Sequence, residues 1–502
     1  MNMIAPSSTK GRGFCCFCGA ALVLVSILLF SLAAWAQSSD TTTSPPTSGS
    51  TNSSGSPNGQ FSLSPDSPFA GSVAEGKATG TVIPLSFKDA VDRGLRNNLG
   101  LLLQGDNTMY VHGERWKELS NLLPNFNASL SENVVQEDLA ALGLRSSILP
   151  GIPSVVGPFN YFDAHFSLLQ PVFDLHALQR ERGASANERA AHQSYRDARE
   201  FVVLAVGNAY LLTIAATSRV ATAEAQVETA QALYDKSADQ LKAGVIPAID
   251  ALRAQVELQS RQQQLIVARN NYAKQKLSLG RIIGLPPGQE FTLTTEVPYE
   301  PLAVMGVEEA LNRAYASRSD YQSARIKVAA AQYFRRAATA EHIPSLGIAA
   351  NYGAEGVNPG TSHGVFTVAG TLNIPIFAGG KAHSDTLEAE ATLRQAQSQL
   401  DDLRGRIDYE VRTALLDLGA AADQVQVARS SVDLANQTLA QARDRFTAGV
   451  TDNLEVVQAQ ESVASANESY ISSLYQHNLA KIEVAHALGI AEQGVIQYLN
   501  RQ

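Results

Sequence analysis

Asp239-Gln240-Leu241-Lys242-Ala243-Gly244-Val245 and Asp444-Arg445-Phe446-Thr447-Ala448-Gly449-Val450 are two versions of one segment, 205 residues apart. The register holds without a gap to Gly284-Leu285 against Gly489-Ile490. Two further pairs keep the same order. Ser167 to Phe173 aligns with Thr371 to Phe377 at 204, and Phe87 to Ala90 with Val307 to Ala310 at 220, which brings Pro124 onto Pro344. A self-similarity of this period makes the chain two copies of one unit.

Each glycine closes a very long helical pattern. The stretches from about Ala177 to Lys242 and from about Lys381 to Thr447 are rich in Ala, Gln, Leu, Arg and Glu and contain no proline, so good helix formers run uninterrupted. At 1.5 Å per residue, about 65 residues make a rod of roughly 100 Å, against the usual dozen residues. No single compact core can contain such a rod. It must pack lengthwise on other helices, as coiled coils do. Gly244 and Gly449 are suited to the left-handed conformation that ends a helix. Pro247 can open the returning helix, and Asp452 can cap its counterpart. Each half therefore reads as a helix, two short segments, a long helix, a glycine turn and a returning helix.

The short segments alternate with period two, and their apolar residues fall on even positions. Phe126, Ala128, Leu130 and Val134 oppose Asn125, Asn127, Ser129 and Ser131; Phe162, Ala164, Phe166 and Leu168 oppose Asp163, His165 and Ser167. In the second half, Leu346, Ile348, Ala350 and Tyr352 oppose Ser345, Gly347 and Asn351; Phe366, Val368, Leu372, Ile374 and Ile376 oppose Thr367, Thr371 and Asn373. Alone, any one of these fits a half-buried strand of a soluble sheet. Four of them, paired between long helices, fit barrel strands with lipid outside and water inside. Four strands cannot close a membrane barrel, and open edges are not tolerated in hydrocarbon. Other copies must supply the rest. Three copies give twelve strands and a twelve-element helical tube by the same symmetry, although two or four would also close.

The N-terminus points to export. Lys10 and Arg12 precede an apolar run from Ala20 to Ala34 and a small-x-small site, Ala34-Trp35-Ala36, which is the pattern of a signal peptide cut after Ala36. The alternative, a membrane anchor, has an apolar run of only about 15 residues against the roughly 20 needed to span. Cys15, Cys16 and Cys18 all lie in this leader, so the mature chain is expected to have no thiolate metal site, disulfide framework or lipid-bearing cysteine. Without Lys10 and Arg12, 37 basic residues face 48 acidic ones, a net charge of −11 with His neutral. This argues against a nucleic-acid surface. Ser38 to Gln60 is almost wholly Ser, Thr, Gly and Pro, and residues 37–80 are read as a flexible tail.

Catalytic patterns are wanting. Gly360-Thr361-Ser362-His363-Gly364 has the letters of an esterase elbow, but that motif needs a strand before it and a helix directly after it. Here it lies between two strands, so a hairpin loop is expected, and a hydrolase built on Ser362 remains a minor alternative. The sequence has no H-E-x-x-H motif, phosphate loop or dinucleotide fingerprint. Its nine histidines lack metal-ligand spacing. No enzyme activity and no cofactor are expected.

From about residue 84 onward the chain resembles the TolC-type outer-membrane efflux family. Leu85 to Val91 with Arg96-Asn97-Asn98 looks like the family's first-helix signature. Leu123-Pro124-Asn125-Phe126 and Ile343-Pro344-Ser345-Leu346 look like its helix-to-strand junctions. Pro375-Ile376-Phe377-Ala378-Gly379-Gly380 is similar to its strand-to-helix junction, the most specific of these. There are departures. Pro171-Val172-Phe173-Asp174-Leu175-His176 lacks the glycine pair, Ser319 stands where the family often has proline, and the first hairpin, about 136–158, is long and carries Gly151, Pro153, Gly157 and Pro158.

The resemblance implies a mainly α fold with a membrane β-barrel: long α-helical hairpins forming a periplasmic tube, four β-strands per chain, and a trimeric α/β-barrel. The expected organisation is a signal peptide (1–36), a tail (37–80), a first efflux repeat (81–290, strands about 124–135 and 159–171), a linker (291–304) and a second repeat (305–492, strands about 344–355 and 364–377). It further implies an outer-membrane channel of a Gram-negative bacterium, with a large periplasmic part. Such a channel conducts compounds passively from a periplasmic adaptor (membrane fusion) protein and an inner-membrane RND, ABC or MFS pump, in tripartite efflux or type I secretion. Its partners are two more copies of itself, the adaptor, the pump and outer-membrane lipid. The competing reading is a structural or adhesive trimeric coiled coil with a barrel anchor, which would need only one terminal anchor and would not explain the duplication.

In this family the periplasmic end is held shut by acidic residues near the helical turns, partly through ion pairs to an arginine. Carried over by position, the acids are Asp250 and its repeat equivalent Glu455. The arginine position is Thr451 and a second acidic ring position is Gln458, so the closing network is expected to differ and to rest on packing around Phe446. Gly244, Val245, Gly449 and Val450 are expected at the adaptor-docking tips. A solvated helix-face role for both acids remains the alternative.

Overall fold

The duplication is visible element by element. After β1 (Ile83–Leu85), the first repeat contains α1 (Phe87–Asn97), α2 (Leu99–Ser120), β2 (Asn125–Asp138), β3 (Val155–Phe173), α3 (Leu175–Lys242) and α4 (Ala248–Ile282). Strand β4 (Phe291–Leu293) pairs in parallel with β1. The second repeat contains α5 (Val307–Ser317), α6 (Ser319–Ala340), β5 (Ser345–Gly356), β6 (His363–Asn373), α7 (Lys381–Thr447) and α8 (Asn453–Ala487), and α9 (Ala491–Leu499) follows. This computed structural model describes residue 64 and residues 66–139, 141, 153–295, 299–303, 305–451 and 453–499. The expected signal peptide, most of the tail, Gly151 and Asp452 lie outside the described residues.

Local chemistry sets the helix ends. Ser86 and Asp89 form a reciprocal capping box at α1, which satisfies two otherwise orphaned backbone donors. Where one helix was expected before the strands, there are two. Asn98 breaks the first pair, because its side chain accepts from the Gly100 amide and so caps α2; Arg318 occupies the matching break between α5 and α6. The first-repeat strand-to-helix junction, which lacks glycines, is capped by the Asp174 carboxylate on the Ala177 amide at 2.9 Å. Its counterpart uses Gly379 and Gly380, both with positive φ. Pro247 falls at the N-cap of α4, in extended conformation.

The four long strands form one antiparallel sheet in the order β2-β3-β5-β6. Opposed residues share parity through most of the sheet: Ala128 meets Phe166, Phe166 meets Tyr352, and Tyr352 meets Phe366. One face is thus apolar and the other polar. Phe126, Leu130, Phe166, Tyr352, Phe366 and Val368 are all exposed. Several strand bounds differ from expectation: β2 runs on to Asp138 and β3 already begins at Val155. β6 ends at Asn373, so Ile374 and Ile376 leave the alternation, because Pro375 has no N–H to continue a ladder. β3 continues to Phe173 through a register shift at Pro171, which places Phe173 opposite Leu346.

The main core gathers α1, α3, α4 and α8 around Phe87, Tyr210, Leu279, Ile283 and Ile482. It absorbs the apolar middle of α3, a stretch long and apolar enough to cross a membrane but mostly buried here. Ion pairs tie α2 along α3: Arg115 meets Glu181 and Glu188, and Arg180 meets Glu118 through two hydrogen bonds of 3.0 and 2.7 Å.

Residues 66–80, read from composition as part of the tail, are docked instead. Phe69 stacks edge-on against Phe201 with ring centroids 4.8 Å apart. Its ring also fills the space beside Gly100, where a Cβ would come within 2.5 Å. The Val73 amide donates to Asn97 O, the Leu99 amide donates to Gly71 O, and the Thr79 amide donates to Gln289. One aromatic side chain and a few backbone hydrogen bonds suffice to hold a segment whose average composition is polar.

Candidate functional site

Both long hairpins turn through glycine in the left-handed region, Gly244 and Gly449 each at φ +71°. No atom lies within 4 Å of where a Cβ would sit at either; backbone conformation, not crowding, selects glycine there. Val245 and Val450, next in sequence, are exposed. Just behind the turns, Leu233 of α3, Ala254 of α4, Ala442 and Phe446 of α7, and Val456 and Ala459 of α8 form one small core. All four long helices are bound at this end, with Phe446 at the centre. Lys236 adds a link between hairpins, donating to the Thr447 hydroxyl at 2.7 Å with its ammonium 5.6 Å from the Phe446 ring centre.

The two acids matched to the family's gate positions are both paired within the chain. Glu455 accepts from Arg445 at 2.6 Å and from the Thr451 hydroxyl. The position matched to the family's arginine is Thr451, yet the guanidinium arrives from the other side of the turn. Sequence reading missed Arg445, although a hairpin centred on Gly449 naturally sets residues before the turn against residues after it. Asp250 is nearly buried and pairs with Arg253 at 3.3 Å. Its backbone carbonyl accepts from the buried Asn453 side chain at 3.1 Å, which joins the first turns of α4 and α8. Gln458 is exposed and lines a groove with Ser431, Glu461, Ser462, Ser465 and Ser469. Glu455 and Thr451 are therefore together, Phe446 lies in the core behind them, and Asp250 and Gln458 face different surroundings.

A second charged cluster ties the repeats farther up the rods. Buried Arg318 donates to Asp320 at 2.7 Å, to Glu410 at 2.6 Å and to Ala487 O. Asp197 of α3 faces this group, and burial followed by the charge of Asp320 pushes its carboxyl up to about 7. Burial and the neighbouring Arg318 charge push His486 down to about 4. Arg199 closes the cluster against Glu492.

Ser362 has no catalytic setting. It sits in the β5-β6 turn with its hydroxyl donating to Pro359 O at 2.9 Å, and a strand follows it rather than a helix.

A family model described as outer membrane efflux protein matches residues 120–285 and 310–490, one segment in each repeat and over half of the chain. The chain belongs to the outer membrane efflux protein family. It is 22% identical over 448 residues to the alkaline protease secretion protein AprF of Pseudomonas aeruginosa, covering 83% of this chain and 89% of that protein. To the outer membrane protein TolC of Escherichia coli it is 20% identical over 358 residues, 68% of this chain and 72% of the relative. Among solved structures, the CmeC outer membrane channel of Campylobacter jejuni superposes with a TM-score of 0.72 at 18% identity, covering 87% of this chain and 94% of that one. The outer membrane protein VceC of Vibrio cholerae gives 0.69 at 17%, covering 80% and 96%. As a member of the efflux family the protein is an outer-membrane channel of a Gram-negative bacterium and has no catalytic step.

Proposed function

We propose that three copies of this chain close one twelve-stranded barrel and one helical conduit, which receives cargo from a periplasmic adaptor and an inner-membrane RND, ABC or MFS pump. The observation that carries this reading is the sheet itself. Among the described residues its two edges, β2 and β6, are unpaired, and one face is predominantly apolar, with Phe126, Leu130, Phe166, Tyr352, Phe366 and Val368 exposed. Such edges need partners in hydrocarbon, and neighbouring copies supply them by rotation. The exposed tips at Val245 and Val450 are the adaptor-docking points, and the paired Glu455, Thr451 and Arg445, backed by Phe446 and flanked by Asp250 and Gln458, form the periplasmic aperture. Cargo is either small toxic compounds or secreted polypeptides.

Fractionation tests the assembly: the mature chain is expected in the outer membrane as a heat-modifiable oligomer with the mass of three copies. Recovery as a soluble periplasmic monomer would overturn the proposal. Docking is tested by Val450→Cys, since the mature chain is expected to contain no other cysteine. A crosslink from this position to the adaptor is expected, and crosslinking only from positions near the sheet would sink the tip assignment.

A further inference from the structure

The polar face of the sheet carries carboxylates and neither lysine nor arginine. Register places Ser131 beside Asp163, Asp163 beside Glu355, and Glu355 beside His363, so two carboxylates occupy one row across all four strands. His165 lies two residues along from Asp163 and is clamped between it, at 2.9 Å, and the Ser129 hydroxyl, at 3.0 Å. None of the four strands contains a lysine or an arginine. Glu132 lies at nearly the same level but on the opposite, apolar face, across from Phe162.

We propose that Asp163 and Glu355 set the ion preference of the barrel, making it a cation-selecting segment in series with the periplasmic aperture. The inference rests on the trimeric-channel reading, in which three copies bring six carboxylates to one level. Strand spacing of about 4.8 Å and a tilt of about 40° give a twelve-stranded barrel a backbone radius of about 12 Å. Side chains pointing inward bring the carboxylates to within about 8 Å of the axis, comparable to the Debye length of about 10 Å at 0.1 M salt. Their field therefore spans the whole lumen, with no lysine or arginine on the strands to offset it. Rings of carboxylates in this arrangement attract cations and repel anions.

Purified full-length trimer in planar bilayers, under a KCl gradient near 0.1 M, tests this. The double variant Asp163→Asn with Glu355→Gln should lower the potassium-to-chloride permeability ratio about twofold or more, including in a Glu455→Gln background. Thr367→Lys, which adds a cation to the polar face of β6 and removes neither acid, should lower it too and serves where the double variant does not assemble. Glu132→Gln, on the lipid face, should leave the ratio unchanged. An unaltered ratio in both lumen variants, with conductance and heat-modifiable trimer intact, overturns the selectivity assignment and leaves the channel reading standing. A wild-type protein that forms no trimer or channel overturns both.

Discussion

Arg445 and Glu455 meet at 2.6 Å across the second helical turn, one before Gly449 and the other after it. The first repeat has no equivalent pair, since Gln240 stands at the matching position and Asp250 turns to Arg253 on its own helix. Both members of the Arg445 pair are substantially exposed, so its contribution to stability is at most about 1 kcal/mol. Its effect on local charge is larger, because the arginine cancels the carboxylate proposed to line the aperture.

Removing each partner should therefore move selectivity in opposite directions. Arg445→Ala leaves Glu455 uncompensated and should strengthen cation preference; Glu455→Gln leaves Arg445 unpaired and should weaken it; the double variant should return near the wild type. Reversal potentials of the three proteins decide the matter. Identical selectivity in all of them would return Glu455 to the ordinary acids of a solvated helix face.

Gly449→Val should abolish export while the barrel stays intact. Its φ of +71° costs an L-residue about 1–2 kcal/mol, more for a β-branched one, and the strain falls on the turn proposed to dock the adaptor. Gly449→Asn, which tolerates that region better, should retain more function. Full export by the valine variant would count against tip docking.

The Asp197 carboxyl should make stability fall as pH rises. Its value goes from 3.8 to about 7 on folding, through burial first and the charge of Asp320 second, so the folded chain holds a proton that the unfolded chain releases. The associated stability is complete below about pH 4 and is lost as pH climbs through 7. Asp197→Asn should flatten this slope and raise the melting temperature above pH 7. Denaturation of the detergent-solubilised protein at several pH values measures it, and parallel pH profiles for variant and wild type would refute it.

Phe69→Ala should release the docked segment upstream of β1. The half-buried ring packs on Phe201 and fills the space at Gly100, so its loss should cost about 2–3 kcal/mol. Protease cleavage within residues 66–80 should accelerate, with heat-modifiability unaffected. Unchanged cleavage would mean the backbone hydrogen bonds alone hold the segment.

Much of this architecture is legible in the chain because it is written in periodicities. The register of 205 between Gly244 and Gly449 carries through to α4 and α8, each 35 residues long, and α7 runs from Lys381 to Thr447 as its unbroken helical composition indicates. Alternation assigned the two faces of the sheet. Where single residues outweigh a pattern, the reading slipped: Pro375 ends β6 early, Asn98 splits a helix, and Phe69 is the one aromatic side chain anchoring residues 66–80.

By itself the sequence determined the repeat, the rods, the turns and the sidedness of the strands, because each depends on the spacing of residues along one element. Only the tertiary structure decided which charges meet. Arg445 reaches Glu455 because the chain reverses at Gly449, Arg318 gathers Asp320 and Glu410 because α6 and α7 pack against each other within the second repeat, and Asp163 stands beside Glu355 because strands from different halves lie side by side. Side-chain charges act over a few ångströms of space. Residues 192 positions apart along the chain become neighbours only when the sheet register is set.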